Sequence, residues 1–241
     1  MKLAFISDLH LSEKTHEKNQ IFYNLMKQWQ NELDALYILG DFFDYWLGDD
    51  DKTSFILEIE ETFRQFTCTT PIFFIHGNHD FGVSKRFAGR TGIIILKDCS
   101  TINVGGNKIL LSHGDVFCTL DKSYQRFKKI IRNPILMAIM RKVPLQWRYK
   151  LKNSLEHESS KQFNTKPNET YLVVDETIAS IANKHQANVV IHGHTHRPGH
   201  YTIKNGENNI IRFEIPDWAD LDPGGYILVE DGKIKIHYLC T

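Results

Sequence analysis

Six short apolar runs, LAFISD (3–8), ALYILGD (35–41), PIFFIHGN (71–78), IIIL (93–96), KILLSHGD (108–115) and NVVIHGH (188–194), constrain the fold of this chain more than any other feature. Their hydrophobicity is continuous rather than alternating, so each is expected as a strand covered on both faces, as in a layered α/β sheet. Each run gives way to a polar, glycine-containing or acidic turn.

Between the runs, residues 17–33 place Ile21, Leu25, Met26, Trp29 and Leu33 at helical spacing, and 53–66 and 172–185 have the same character. Thr53 and Asn168 are candidate helix-start residues. Three hairpins are expected, turning at Gly105-Gly106, Asn205-Gly206 and Asp231-Gly232. The order is therefore βαβ units first and antiparallel strands later. Residues 119–170 break the rhythm over a length too great for a bare loop. Helical apolar spacing interrupted by Pro134 and Pro144 predicts two to four helices there, a cap inserted in one domain spanning residues 1–241.

The chain has 241 residues, 41% hydrophobic and 24% charged, which suits one α/β domain carrying an insertion. Net charge is zero with histidine neutral, so no global field favours nucleic acid, and none is expected as a partner. Cys68, Cys99, Cys118 and Cys240 form no CxxC pair, which fits reduced thiols in the cytosol. Asp8 interrupts the first apolar run before a signal sequence could form, and no run reaches the roughly 18–20 apolar residues of a membrane span. A cytoplasmic protein able to touch a membrane surface is expected.

The ends of the runs carry the chemistry: Asp8-Leu9-His10, Gly40-Asp41, Gly77-Asn78-His79-Asp80, His113-Gly114-Asp115 and Gly193-His194-Thr195-His196. In open α/β sheets, ligands bind at the carboxyl ends of strands. Carboxylate, imidazole and amide oxygen together suit a divalent transition ion. If the strands continue, Asp8 and His10 project the same way, as do His194 and His196, so each pair clamps from one side. Asp8, His10, Asp41, Asn78, His113, His194 and His196 are too many for one tetrahedral ion. They are enough for two ions sharing a carboxylate, a recurrent arrangement in phosphoryl ester hydrolysis.

In this order DLH, GD, GNHD, HGD and GHTH resemble the signature of the calcineurin-like metallophosphoesterases, over residues 8–196. The resemblance implies a two-sheet sandwich flanked by helices and a dinuclear centre. It places Asp8, His10, Asp41 and His196 on one ion and Asp41, Asn78, His113 and His194 on the other, with Asp41 bridging. Asp41, Asn78, His79 and His194 are the implied catalytic residues, and the paired ions would acidify a water that attacks phosphorus.

ALYILGDFFDYWLGDDD, FIHGNHDF, HGDVFCTLDKSYQRF, NSLEHESSK and IHGHTHRP are similar to a narrower family, the UDP-2,3-diacylglucosamine diphosphatases of lipid A biosynthesis, across most of residues 3–198. This implies hydrolysis of a UDP-linked diacylated glucosamine to UMP and 2,3-diacylglucosamine 1-phosphate, using two divalent ions such as Mn2+. Implied substrate contacts are Asn78, His79, Asp121, Ser154, Glu158, Lys161 and His194. Two positions depart from the pattern: His79 replaces the usual Arg of GNRD, and Glu158 stands where Asn is frequent. They keep open a nucleotide or other phosphodiester substrate. An interaction scaffold without activity would show lost ligands, and none is lost. The stretch IPDWADLDPGGY lies outside the resemblance.

The segment Lys122 to Lys152 has ten Lys or Arg and no Asp or Glu, interleaved with Ile130, Ile131, Ile135, Leu136, Met137, Ile139 and Met140. An apolar side that takes acyl chains and a basic side that meets diphosphate and anionic headgroups would place the protein peripherally on the inner membrane. Only Tyr124, Phe127, Trp147 and Tyr149 offer stacking faces, which argues against nucleic acid. Asp49 to Asp51 read as a solvated turn, and His76 and His192 as packing residues or supports behind the ligands, their side chains facing away from them.

Overall fold

In the computed structural model, which describes residues 1–152, 168–206, 208–218 and 224–239, five of the apolar runs form the middle of two mixed sheets, while IIIL forms an edge strand on which Ile94 is 46% exposed rather than covered. The first has the order β11-β10-β1-β2-β3-β4. Strands β1 (Lys2–Ile6), β2 (Ala35–Ile38), β3 (Ile72–Phe74) and β4 (Ile94–Ile95) are parallel, and β10 (Gly225–Glu230) and β11 (Lys233–Tyr238) extend them antiparallel. The second has the order β5-β6-β7-β9-β8, from β5 (Ser100–Val104), β6 (Asn107–Leu111), β7 (Val189–His192), β8 (Gly199–Ile203) and β9 (Ile210–Glu214).

Alternate residues of each strand serve different layers, which is why the runs are apolar throughout. Leu3 and Phe5 pack with Tyr37, Leu111 and Ile191 between the sheets. Ala4 and Ile6 face the opposite way, with Phe22, Phe63, Phe74 and Phe87, toward α1 (His16–Trp29), α2 (Ser54–Thr67) and α3 (Lys85–Thr91). Leu110 and Val190 meet Ile178 and Ala182 of α7 (Asp175–His185) outside the second sheet. The expected sandwich flanked by helices is thus present, with all three hairpins at their expected turns.

Local differences have identifiable causes. On α1 the buried stripe runs Phe22, Leu25, Met26 and Trp29, while Ile21 is 41% exposed. The helix ends at Trp29, four residues before the expected Leu33, which is buried from the following loop. Thr53 caps α2 as expected, its hydroxyl accepting from Ile56 N at 3.4 Å. Asn168 opens a single 3-10 turn (Asn168–Tyr171), and α7 begins only at Asp175. Helix α3, with seven residues, is too short for periodicity to reveal. Its start is held instead by the Asp49 carboxylate, which bonds the Ser84 hydroxyl and accepts from Phe87 N.

The inserted segment contains α4 (Lys122–Ile131), α5 (Pro134–Met140) and α6, helical over residues 145–152. Neither α4 nor α5 has a buried residue, so polar joints rather than a core hold them. Buried Asp115 accepts from Tyr124 Oη at 2.8 Å, Lys128 Nζ at 2.8 Å and Arg132 Nη2 at 3.4 Å. Arg148, 4% exposed, donates to the Leu47 carbonyl and pairs with Asp50, and Tyr149 Oη donates to Asp51. Asp49 to Asp51 are therefore structural anchors, not the solvated turn expected. Arg148→Ala should destabilise the protein by about 2 kcal/mol, the scale of lost charge-assisted hydrogen bonds, measured by urea unfolding. Proteolysis should then begin within residues 119–152.

Candidate metal centre

Every ligand candidate lies just past the carboxyl end of a parallel strand: Asp8 and His10 after β1, Asp41 after β2, Asn78 after β3, His113 after β6, and His194 and His196 after β7. The two sheets present these ends to one rim. The pairs do not project from continuing strands, because β1 ends at Ile6 and β7 at His192. Asp8, His10, Asp41, His194 and His196 instead have φ of 57°, 49°, 51°, 79° and 54°. This left-handed backbone costs an L-residue roughly 1 kcal/mol or more, and Asp and His are among the non-glycine residues that tolerate it best. Glycines make room for it. A Cβ at Gly40, itself at φ 92°, would sit 2.6 Å from Gly77 Cα and from His113 Nδ1.

The side chains converge. Asp41 Oδ2 is 3.6 Å from His113 Nε2, 3.9 Å from His10 Nε2 and 4.0 Å from His79 Nε2. Asp8 Oδ1 is 3.8 Å from His196 Nε2. Three groups have all ligand atoms within 4.8 Å of one another: Asp8 with His10 and His196, His10 with Asp41 and His79, and Asp41 with His113 and His194. The other oxygens are tied down: Asp8 Oδ2 accepts from Ser7 Oγ (2.6 Å) and His194 N (2.8 Å), and Asp41 Oδ1 from His79 N (2.8 Å). Each carboxylate thus turns one oxygen outward to the imidazoles.

Burial and mutual charge divide these groups electrostatically. Asp41 rises to about 6, because burial and the nearby Asp80 and Asp8 charges outweigh His113 and His79. Burial opposes ionisation of Asp8 too, but His196, His113 and His10 hold its carboxyl below the usual range. Burial also opposes charge on His113, yet Asp41 and Asp8 prevail and raise it to about 9. His10 falls to about 3 and His194 to about 4, through burial and then repulsion from His79 and His113 respectively.

The donor set fits divalent cations. Buried Asp8 Oδ1 has no hydrogen-bond partner among the described residues. His113 donates its Nδ1–H to the Leu39 carbonyl at 2.9 Å. Its Nε2–H faces Asn78 Oδ1 at 3.0 Å and Asp41 Oδ2 at 3.6 Å, and giving up that proton to a bound ion would leave a lone pair among these oxygens. Lone pairs gathered from amide, carboxylate and imidazole suit a divalent cation in their midst.

His79 joins this cluster: its Nδ1 donates to the Asp44 carbonyl at 2.6 Å, directing Nε2 toward Asp41. Asp121 is the N-cap of α4, accepting from Tyr124 N at 3.0 Å and from Ser123 Oγ at 2.6 Å. Ser154, Glu158 and Lys161, and Cys240, lie outside the described residues. His76 donates to the Val83 carbonyl, and His192 is buried against Phe117, in keeping with packing roles. Asp80 and Asp115 stand in the collected motifs without an assigned role. Asp80 joins two ligand loops, accepting from Gly77 N at 2.7 Å and Phe42 N at 2.8 Å. Only the backbone contacts reveal this.

Comparison with known proteins agrees with the geometry. The family model for calcineurin-like phosphoesterase matches residues 1–198. A UDP-2,3-diacylglucosamine hydrolase of Pseudomonas fluorescens (strain SBW25) is 38% identical over 230 residues, covering 95% of this chain and 91% of that protein. A protein of the same name from Chromobacterium violaceum is 37% identical over 237 residues, covering 98% of each. Among solved structures, an archaeal phosphodiesterase superposes with a TM-score of 0.52 at 12% identity, covering 99% of this chain and 100% of that one. That last likeness concerns the fold alone.

Proposed function

The chain belongs to the calcineurin-like phosphoesterase family, and from that membership we propose that it hydrolyses the diphosphate of UDP-2,3-diacylglucosamine to UMP and 2,3-diacylglucosamine 1-phosphate, a step of lipid A biosynthesis. The observation that carries the chemistry is the position of Asp41, shared by two donor groups of the rim. The substrate assignment draws support from relatives of that name whose likeness covers 95–98% of the chain, well past the metal motifs.

Asp8, His10, Asp41 and His196 would hold one divalent ion and Asp41, Asn78, His113 and His194 the other, with Mn2+ suited to this mixed oxygen and nitrogen set. When bound, the pair supplies charge stabilisation of the phosphoryl oxygens and an acidified water. Water adds to one phosphorus, and the bridging P–O bond breaks toward the other phosphate. His79, fixed through Nδ1, directs Nε2 to the side where negative charge collects on the leaving oxygen. Asn78 and His194 would complete the phosphate contacts, and the motif resemblance alone assigns Asp121, Ser154, Glu158 and Lys161 to the glucosamine side.

The inserted segment, residues 119–170, would act as a cap that carries the enzyme to its lipid substrate on the inner membrane. Ile130 is 61% exposed, Ile135 71%, Ile139 56% and Trp147 63%. Exposed Lys129, Arg141 and Lys142 accompany them. Among the described residues no helix is long and apolar enough to cross a membrane, so contact would be interfacial. Arg132, which the sequence groups with these charges, is turned inward to the Gly77 carbonyl at 2.8 Å. Reversing Arg141 and Lys142 to Glu should weaken sedimentation with anionic vesicles at least tenfold, on the scale of about 1 kcal/mol per basic residue. Salt should do the same to the parent protein, and binding indifferent to both would remove the membrane role.

Mass spectrometry of products from UDP-2,3-diacylglucosamine in detergent tests the reaction: UMP and the 1-phosphate are expected together. Efficient cleavage of simple phosphodiesters with the lipid left intact would favour the second reading, a general phosphodiesterase, to which His79 in place of Arg and Glu158 in place of Asn point.

A further inference from the structure

The stretch after β9 lies beyond the residues matched by the family model, yet it closes against the ligand loops. Ile215 N donates to the His192 carbonyl at 2.8 Å, continuing the strand pairing for one more residue. Trp218 N donates to the Asp8 carbonyl at 3.0 Å, and its ring, 3% exposed, is buried with its Nε1 donating to Gly225 O. Between these two fixed points stands Asp217. Its Oδ2 lies 3.2 Å from His196 Nδ1, and its side chain is only 13% exposed.

We propose that Asp217 is a positioning residue for the metal centre, holding His196 with Nδ1 as the donor and Nε2 as the ligand atom. A carboxylate at Nδ1 selects that tautomer, because it can only accept. The Nε2 lone pair is thereby turned toward Asp8 Oδ1, 3.8 Å away, the buried oxygen without a partner among the described residues. The ring needs such a hold: the His196 side chain is 43% exposed on a left-handed backbone, so packing alone does not fix it. Carboxylates behind ligating imidazoles fix orientation and raise ligand basicity.

The inference rests on His196 being a ligand, and its test separates the two ideas. Apoprotein is titrated with Mn2+ by calorimetry for the parent, Asp217→Ala, Asp217→Asn and His196→Ala, with thermal unfolding of each apoprotein alongside. Asp217→Ala should bind the ion on the His196 side about 10–100-fold more weakly. Asp217→Asn, which keeps an acceptor but not the charge, should fall between the two, and it carries the test if the alanine variant does not fold. Unchanged Mn2+ affinity in both Asp217 variants, with His196→Ala losing an ion, would overturn the positioning role and leave the ligand set intact. A lower apoprotein melting temperature without a change in the titration would overturn it equally, marking Asp217 as a loop anchor. His196→Ala that keeps both ions at parental affinity would remove the ligand assignment itself.

Discussion

Asp41→Asn should reduce turnover by at least a thousandfold and lower the bound metal from two ions toward one, while the folded structure persists. The substitution keeps the size of the side chain and one oxygen for His79 N, but removes the charge that faces His113, His10 and His79. Space around it is limited: a Cβ on Gly77 would sit 2.1 Å from Asp41 Oδ1, so no larger group could take its place. The apoprotein should be no less stable than the parent. Asp41 is raised from 3.8 to about 6, chiefly by burial, so its folded form binds a proton more tightly than its unfolded form. That contribution is present at low pH and is lost as pH rises through about 6. The asparagine variant, with no proton to lose, should lack this component of the pH dependence. Inductively coupled plasma analysis of repurified protein, with urea unfolding of the apoprotein at several pH values, checks both halves. Near-parental turnover after stripping and reloading would remove the shared-carboxylate mechanism.

His79 carries the second large effect, and here the outcome depends on the substrate. Its Nδ1 is occupied by the Asp44 carbonyl, and its ring lies against Tyr45 at 4.6 Å and edge-on to His10 at 4.8 Å, so Nε2 has one direction to point. There an imidazolium can stabilise charge or hand over its proton, whereas a guanidinium can only do the former. Breaking a diphosphate expels a phosphate monoester, whose last ionisation lies near 6, so it leaves without needing a proton. An alkyl phosphodiester expels an alkoxide, which does need one. His79→Ala should therefore lose roughly 10²–10⁴ in kcat on either substrate. His79→Arg should stay within about tenfold of the parent on UDP-2,3-diacylglucosamine and lose as much as the alanine variant on alkyl diesters. Equal losses for His79→Arg on the two substrates would mean that the histidine supplies no proton.

Much of this is legible in the sequence. The order of the ligand motifs, each after an apolar run, identifies the residue types and the strand ends that carry them. The alternation of Leu3 and Phe5 with Ala4 and Ile6 appears in the sequence only as a continuous run, but that continuity is itself the mark of a sheet covered on both faces. The glycine-containing hairpin turns are equally clear, since φ above zero at Gly105 and Gly106, at Gly206 and at Gly232 is a local demand that local composition meets.

What the tertiary structure alone decided are the features set by distant contacts. The left-handed backbone at Asp8, His10, Asp41, His194 and His196 is tolerated by these residue types but not dictated by them, because it exists only where Gly40, Gly77 and Gly193 let loops from both sheets close on one another. The cap shows the same division. Its ten basic residues look alike in sequence, yet Lys128 and Arg132 are drawn inward to Asp115 and Arg148 to Asp50, leaving others such as Lys129, Arg141 and Lys142 exposed. Asp217 reaches His196 from 21 residues away because β7 and β9 are neighbours in the second sheet. Sequence pattern reports what a residue must be buried against or exposed to along its own element, whereas a contact between elements depends on how the sheets pack, which no local pattern encodes.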